Sequence, residues 1–599
     1  MNPLMIWDNP LIIRGIRTRL RLPLAVSWAL VTIVASAFLY IIVYGNAIKD
    51  SNTTEAEAAR QAIPALLVMQ GLILMVLGTG AVAGGVARER TYRLLDYQRL
   101  TPMSPSVKIL GTLIGLPIRE YFMFALSLPF VFYAAWKGGL SFGILFNFYL
   151  VFLSSALVYH MTGLAAGMVV SKPWQAGTVS QGMVVVLYLM LPNISYMGFT
   201  FFEFLTARPV FYGLVNIHLL PDWNLQNMQP ADIAQAIDQG MTESKAQINM
   251  ARYKSVAFFG MSLSPVVYSL AVQGFALLSL YVIVYRKWQR ETSLPFSKTF
   301  AITFFALAQI FLVGSVLPFL ANDVLFERLT KGYDSVDNVD DPKRTLVLLI
   351  FIVNFTVSGC AAILAVFLCT PNGHRSLAGL RRNLRMGKRG LNWHEEGASA
   401  LPVVAACIMM SYLGFLAVYR TASNSGRIGV DNTPLEFALP LILFAAVLVA
   451  VHQIVEQFSE RIFVMALFLF WVVPVLTALI VATAAGQPVM AVYIALFFPF
   501  VAIVFGSGLL MSDVDTPLPD DIPFITLIDG HLMPVTILTV LVYTLFALTL
   551  LLMAWRRWRK IKALAGITSD QAKGKPIAAS EPAEPVPAYA TVNTPPSQP

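Results

Sequence analysis

The stretch LPLAVSWALVTIVASAFLYIIVYG, residues 22–45, carries no charged side chain from one end to the other. A helix of about 20 apolar residues spans roughly 30 Å of hydrocarbon, so this segment is long enough to cross a bilayer. Arg14, Arg17, Arg19 and Arg21 precede it. The run is nevertheless longer than a signal-peptide core and no small-residue cleavage site follows, which makes it a retained span. Outward from it, comparable runs recur as far as Trp555. Apolar residues make up 57% of the chain and charged residues 13%, against about 25% charged in soluble domains. The fold class that follows is an all-α, polytopic integral membrane protein without a soluble catalytic domain.

The net charge of +9 does not point to nucleic acid, because the basic residues sit in short clusters beside the ends of apolar runs, where they set topology. The clusters are the N-terminus, residues 88–108, the group Arg286, Lys287, Arg290 and Lys298, residues 375–389, and WRRWRKIK at 555–562. All five are expected on the cytoplasmic side of the inner (plasma) membrane, together with both termini. Acidic or neutral loops alternate with them and are expected outside: Asp50, Glu55 and Glu57, then 222–243, then Asp323 with 334–341.

Six apolar runs fill the first half, near 22–45, 62–87, 109–136, 144–170, 176–199 and 256–285. The second half has seven, near 300–320, 345–368, 401–419, 437–455, 462–485, 491–511 and 534–555. Seven crossings would put Arg556 to Lys562 outside and Asp513 to Asp521 inside, against the charge bias. Treating 491–511 as a re-entrant segment shielded by other helices restores agreement. The expectation is about twelve transmembrane helices in two six-helix halves, 22–290 and 291–562, each with its longest basic segment (88–104 and 370–400) after its second span. That layout suggests a degenerate duplication, although no residue-by-residue repeat supports it. The tail, 563–599, is rich in Pro, Ala and Ser and is expected to be disordered. Cys360, Cys369 and Cys407 all lie in or beside apolar segments and offer no disulfide framework.

Residues 1–21 are expected to form an interfacial amphipathic helix. Asn9 is placed to cap it, Pro10 suits its first turn and Pro23 ends it. Ile12, Ile16 and Leu20 share one face while Arg14, Arg17 and Arg21 share another. The segment VARERTYRLLDYQRLTPMSPSVKILG, residues 86–111, follows the second span directly. Residues 88–100 lack Gly and Pro and predict a stiff helix, which Thr101-Pro102 stops.

This stretch resembles the signature of the permease subunits of ABC transporters, specifically the type-2 export permeases. Glu89 stands for that family's first glutamate and Asp96 for its second. Thr101, Pro102, Met103 and Ser104 match its turn into the third span, while Arg93-Leu94 replaces its usual Gly-Thr. The opening NPLIIRGIRTRLR is similar to its N-terminal interfacial helix, with Gly15 where a glutamate is common. The resemblance implies a permease that couples to separate ABC ATPase subunits through Glu89, Asp96, Arg99, Thr101 and Pro102. No GxxxxGK[ST] loop is present, so ATP is expected on the partner and no cofactor on this chain. The two halves would make one transmembrane unit, or the chain would form a homodimer.

Arg119 and Glu120 lie in the third apolar run, where each would cost about 2.5 to 3.5 kcal/mol facing lipid. They are expected to face protein or a translocation path. Adjacent helical residues point about 100° apart, so they predict bonds to neighbouring helices, not to each other. His160, and His452 with Glu456, are expected to be interhelical hydrogen-bonding groups. Gly80-x-x-x-Gly84 and Gly163-x-x-x-Gly167 predict close helix packing. GLSFG at 139–143 falls in a turn between spans, without the strand-to-helix elbow of a hydrolase. His394-Glu395 lacks the second histidine of a zinc-protease helix.

The leading expectation is therefore the membrane component of an ATP-driven exporter with no catalytic or metal site of its own. The alternatives are an ion-coupled secondary transporter, for which Arg119 and Glu120 would be the coupling pair, and a non-catalytic membrane subunit of an enzyme complex.

Overall fold

The computed structural model describes residues 8–49, 53–170, 172–219, 255–323, 325–326, 342–388, 391–427, 434–458, 465, 468–483, 488–495, 498 and 532–564. The protein is a polytopic bundle of α-helices. Among the described residues eleven helices are long and apolar enough to cross a membrane. Their outward surface is itself apolar: Leu24, Leu30, Phe38 and Ile41 on the first span are exposed, as befits a bundle with a hydrocarbon solvent. Among the described residues strand pairing is confined to a hairpin, Val256–Phe258 with Met261–Leu263. Phe259 and Gly260, both at positive φ, form its two-residue turn.

Helix α1 (Pro10–Arg19) precedes the first span, α2 (Leu22–Ala47). The second span runs from Glu55 to Thr91. It starts at a capping box in which the Thr54 hydroxyl and the Glu57 carboxylate each bond the other's backbone N–H. Within it α3 (Glu55–Gly71) gives way to a π-helical segment, Leu72–Leu77, and then to α4 (Gly78–Thr91). After α5 (Leu94–Leu100) and α6 (Pro105–Gly115) come α7 (Ile118–Lys137), α8 (Phe142–Val169) and α9 (Pro173–Met190), and the sixth span is Pro265–Gln289. The remaining candidate spans are Lys298–Ala321, Leu349–Cys369, Leu401–Asn424, Leu439–Gln457 and Val535–Ala563.

Two boundaries differ from the sequence expectation. The third run is not one helix over 109–136, because the chain breaks at Leu116-Pro117 between α6 and α7. The stiff helix expected over 88–100 is also two pieces: α4 ends at Thr91, and Arg93 takes a left-handed conformation (φ 56°) before α5 starts. Composition without Gly or Pro permitted a continuous helix, but side-chain bonds described below hold α5 folded back. The re-entrant segment expected at 491–511 lies largely outside the described residues, whereas the crossing expected at 462–485 is described at 465 and over 468–483. What is described there is a π turn, Phe468–Val472, with short helices Val473–Thr483 and Pro488–Ala495.

Five helix pairings occur in both sets of spans, whereas others occur in one alone: the fifth span packs on the second and fourth in the first set, and Leu401–Asn424 packs on Leu439–Gln457 in the second. In the first half, span one packs on spans two and three, two on three and four, and four on six. Among the second set of spans, Lys298–Ala321 packs on Leu349–Cys369 and Leu401–Asn424, these two pack on each other, Leu349–Cys369 packs on Leu439–Gln457, and Leu439–Gln457 on Val535–Ala563. Small residues permit the closest of these crossings. On α8, Gly163 faces the Thr79 carbonyl and Gly167 that of Ala83, at distances where a Cβ would stand 2.8 and 2.6 Å away. On the other side of α4, Gly80 and Gly84 admit Gln181 and the Pro173 carbonyl.

The five basic clusters gather at one end of the bundle. Arg14 pairs with Glu89. Arg99 reaches Glu291 at 3.3 Å, Arg286 pairs with Glu396, Lys298 donates to the Glu395 carbonyl, and Gly373 lies against the Arg557 guanidinium. Glu55, paired with Lys137 at 3.2 Å, and Asp323, paired with Arg427 at 3.0 Å, stand at the opposite ends of their helices.

Candidate functional site

The segment singled out in sequence sits at this basic end, built from α1, the end of α4, α5 and α6. Asn9 begins the assembly: its Oδ1 accepts from Leu11 N at 3.0 Å and its Nδ2 donates to Val107 O at 2.9 Å, tying the start of α1 to α6. The helices then meet backbone to backbone. A Cβ on Gly15 would stand 2.2 Å from the Gly115 carbonyl oxygen, and one on Gly115 2.7 Å from that of Leu11. This explains why glycine occupies position 15, a role that spacing alone did not disclose.

Glu89 is buried, with 6% of its surface exposed. Its carboxylate accepts from the Arg14 guanidinium and from Gln98 Nε2 at 3.0 Å. The first bond holds α1 down and the second folds α5 back against α4. Glu89 is thus a positioning residue inside the chain, not a surface acid open to a partner. The resemblance implied a place for it in the coupling contact; two intramolecular donors hold it inside the chain.

α5 itself is two-sided. Leu95 and Gln98 are buried, while Tyr92, Leu94, Tyr97 and Leu100 are exposed, Leu100 to 83%. Asp96 is at the surface and accepts from Arg99 at 2.7 Å. Arg99 also donates to the Trp288 and Lys287 carbonyls, both at 3.3 Å, and so joins α5 to the end of the sixth span. The Thr101 hydroxyl donates to Gln98 O at 2.7 Å and closes the helix. The Thr101 carbonyl accepts from Lys108 at 3.1 Å across the Pro102 turn. Lys108 is buried, which lowers its pKa; its sequence context placed it only among the basic residues of 88–108. Ser104 caps α6 through Val107 N at 3.4 Å.

Arg119 and Glu120 stand in the first turn of α7, and there they pair with each other. This corrects the sequence expectation: the Arg119 side chain is long enough to fold back across the 100° between neighbours, and its guanidinium also stacks 4.6 Å from the Trp28 ring of the first span. Glu120 is fully buried, and its second oxygen has no hydrogen-bond partner among the described residues.

The histidines join helices. His160 Nε2 lies 2.8 Å from the Leu74 carbonyl, within the π segment, and Nδ1 3.1 Å from the Tyr121 hydroxyl. His452, on the fourth helix of the second set, meets Thr370 at 3.3 Å, Ser399 at 3.0 Å and Glu456 at 3.3 Å. Among the described residues no three His, Cys, Asp or Glu side chains cluster as metal ligands. The three cysteines are free thiols. Ser141 of GLSFG precedes α8 in the turn from α7.

Two further features belong to this description. An amphipathic helix, Gly373–Arg385, follows the second span of the second set as α5 follows that of the first. Its Asn383 donates to Glu395 at 2.7 Å. A cavity of about 300 Å³ opens between the second, fourth and fifth spans, lined by Leu67, Gly71, Met75, Phe148, Tyr159 and Phe211 among others.

Compared with known proteins, the chain matches no family model, no curated protein and no solved structure at a significant level. The class that fold and site define is a multi-pass α-helical membrane protein.

Proposed function

We propose that the chain is the transmembrane permease of an ATP-driven exporter of the ABC type-2 kind, with ATP hydrolysis on separate subunits docked at the basic, cytoplasmic end. The observation that carries this reading is α5: a short helix with an exposed apolar face (Tyr97, Leu100), fixed to the sixth span by Arg99. An apolar face at the end of a membrane bundle, where water replaces lipid, calls for a protein partner. Force applied there has a bonded route into the transmembrane helices. In this reading Asp96 and Arg99 meet or position the partner, Thr101 and Pro102 set the turn, and Glu89 holds the assembly together from within.

The five shared pairings favour two six-helix halves within one chain, and the helix Gly373–Arg385 is then the second half's counterpart of α5. Parity favours the re-entrant segment. Gln457 and the basic end of Val535–Ala563 lie together, with Gln457 donating to Leu550 O at 2.7 Å, so the chain between those helices crosses an odd number of times. One crossing by 462–485 and a dip by 491–511 satisfy that count, and both termini are then cytoplasmic. The apolar cavity suits lipid-like or amphipathic cargo.

The test is reconstitution. Vesicles holding this chain should transport only with a separate ATPase and ATP, and Tyr97→Glu with Leu100→Asp should abolish ATPase capture while leaving insertion intact. Transport driven by a proton gradient without ATP would overturn the reading in favour of ion coupling.

A further inference from the structure

A second cavity, of about 340 Å³, lies at the basic end between α1, α4 and α6. Arg14, Thr18, Arg19, Arg88, Glu89 and Tyr92 are among its walls. Its setting is the edge of the hydrocarbon layer, since the first span begins at Leu22, three residues after Arg19, and the second ends at Thr91, three after Arg88.

The charges around it do not cancel. Arg19 feels Glu120, Arg119, Glu89 and Arg88, and Arg14 is bonded to Glu89. Four guanidiniums therefore meet two carboxylates. Glu89 is already taken by Arg14 and Gln98, and Glu120 by Arg119. Among the described residues neither the Arg19 nor the Arg88 guanidinium donates a hydrogen bond to the protein, Arg88 lying only over the Tyr92 ring at 6.0 Å. Burial lowers the pKa of Arg19 despite its acidic neighbours. A half-buried guanidinium without an acceptor is costly unless an anion supplies the missing lone pairs.

We infer that this cavity binds the phosphate of an anionic membrane phospholipid, held by Arg19 and Arg88. The source is a lipid because the cavity stands at headgroup depth and because Leu94 and Tyr92 at its rim are exposed apolar surface along which an acyl chain can lie. Basic recesses between transmembrane helices at this depth recognise such headgroups. A bound phosphate would bridge α1 to α4 beside the Arg14 to Glu89 pair, so lipid and protein would together fix the segment that leads into α5. The inference does not depend on the exporter reading, and its test measures binding alone.

The full chain is placed in nanodiscs of phosphatidylcholine, with and without about 20% phosphatidylglycerol, an excess over one site per chain. Thermal stability is read in each, and native mass spectrometry counts retained lipid. Phosphatidylglycerol should raise the melting temperature of the wild type and stay bound. Arg19→Gln with Arg88→Gln should reduce retention by about tenfold or more, as expected for two lost charge-assisted contacts. The control Arg17→Gln with Arg21→Gln removes the same charge from exposed positions and should change little. Equal loss in both pairs would mean attraction to the membrane surface only and would overturn the site. A shift reproduced by inorganic phosphate in pure phosphatidylcholine would overturn the lipid as its occupant. If the double variant does not fold, Arg88→Gln alone, at the exposed rim, is read instead, and undiminished lipid retention there counts against the proposal.

Discussion

Arg99 and Glu291 form an ion pair at 3.3 Å across 192 residues of chain, linking the short helix after the second span to the segment after the sixth. The same guanidinium holds Asp96 at 2.7 Å, so one side chain joins the exposed face of α5 to the transmembrane bundle.

Removal of that joint should separate stability from coupling. The pairs are largely exposed on the carboxylate side, and exposed ion pairs contribute about 0 to 1 kcal/mol. Arg99→Ala is expected to shift the melting temperature by no more than a few degrees while strongly reducing ATP-driven transport in reconstituted vesicles. Unchanged transport would remove Arg99 from the coupling route.

Glu89 should behave in the opposite way. Its carboxylate is buried and takes two donors, and hydrogen bonds to a charged group contribute about 1.5 to 3 kcal/mol. Glu89→Ala is expected to destabilise by roughly 2 kcal/mol, and Glu89→Lys by more, since it adds a cation to a wall that already holds Arg14, Arg19 and Arg88. Hydrogen exchange in α1 and α5 should rise in both variants. Protection as in the wild type would show that the two bonds do not hold these helices.

The contact between Gly15 and Gly115 leaves no room for a side chain. Gly15→Leu should lift α1 from α6 and expose Ile12, which is now 2% exposed. A cysteine placed at position 12 would then react with a polar maleimide only in the Gly15→Leu background. Slow labelling in both backgrounds would show that α1 stays seated.

Topology between Gln457 and Leu532 can be read by labelling. Cysteines near Gln487 and Asp515, positions outside the described residues, should both react from the external side, and one near Ile567 only from the cytoplasm. Cytoplasmic labelling at 515 would make 491–511 a full crossing and break the parity argument.

Much of this was legible in the sequence, because a bilayer imposes simple rules. Runs such as 22–45 must be helical where no water can satisfy the backbone, and the basic clusters marked the end at which they now meet. Positions that depend on a distant partner were not legible. The bonds of Glu89 to Arg14 and Gln98 depend on residues 75 and 9 positions away, and the break at Arg93 has no Gly or Pro to announce it. Arg119 and Glu120 were identified as buried charges, but their mutual bond depends on a rotamer, not on spacing.

The π segment Leu72–Leu77 acts as a swivel within the second span. Each extra residue in a helix turns everything beyond it by about 100°. On the side of the segment away from the basic end α3 looks toward the first and third spans, and on the basic side α4 looks toward the fourth and fifth. One helix thereby serves two different sets of neighbours along its length. Loss of a single residue between 72 and 77 would turn Gly80 and Gly84 away from the fifth span, and the bulky side chains beside them would collide where the helices now touch.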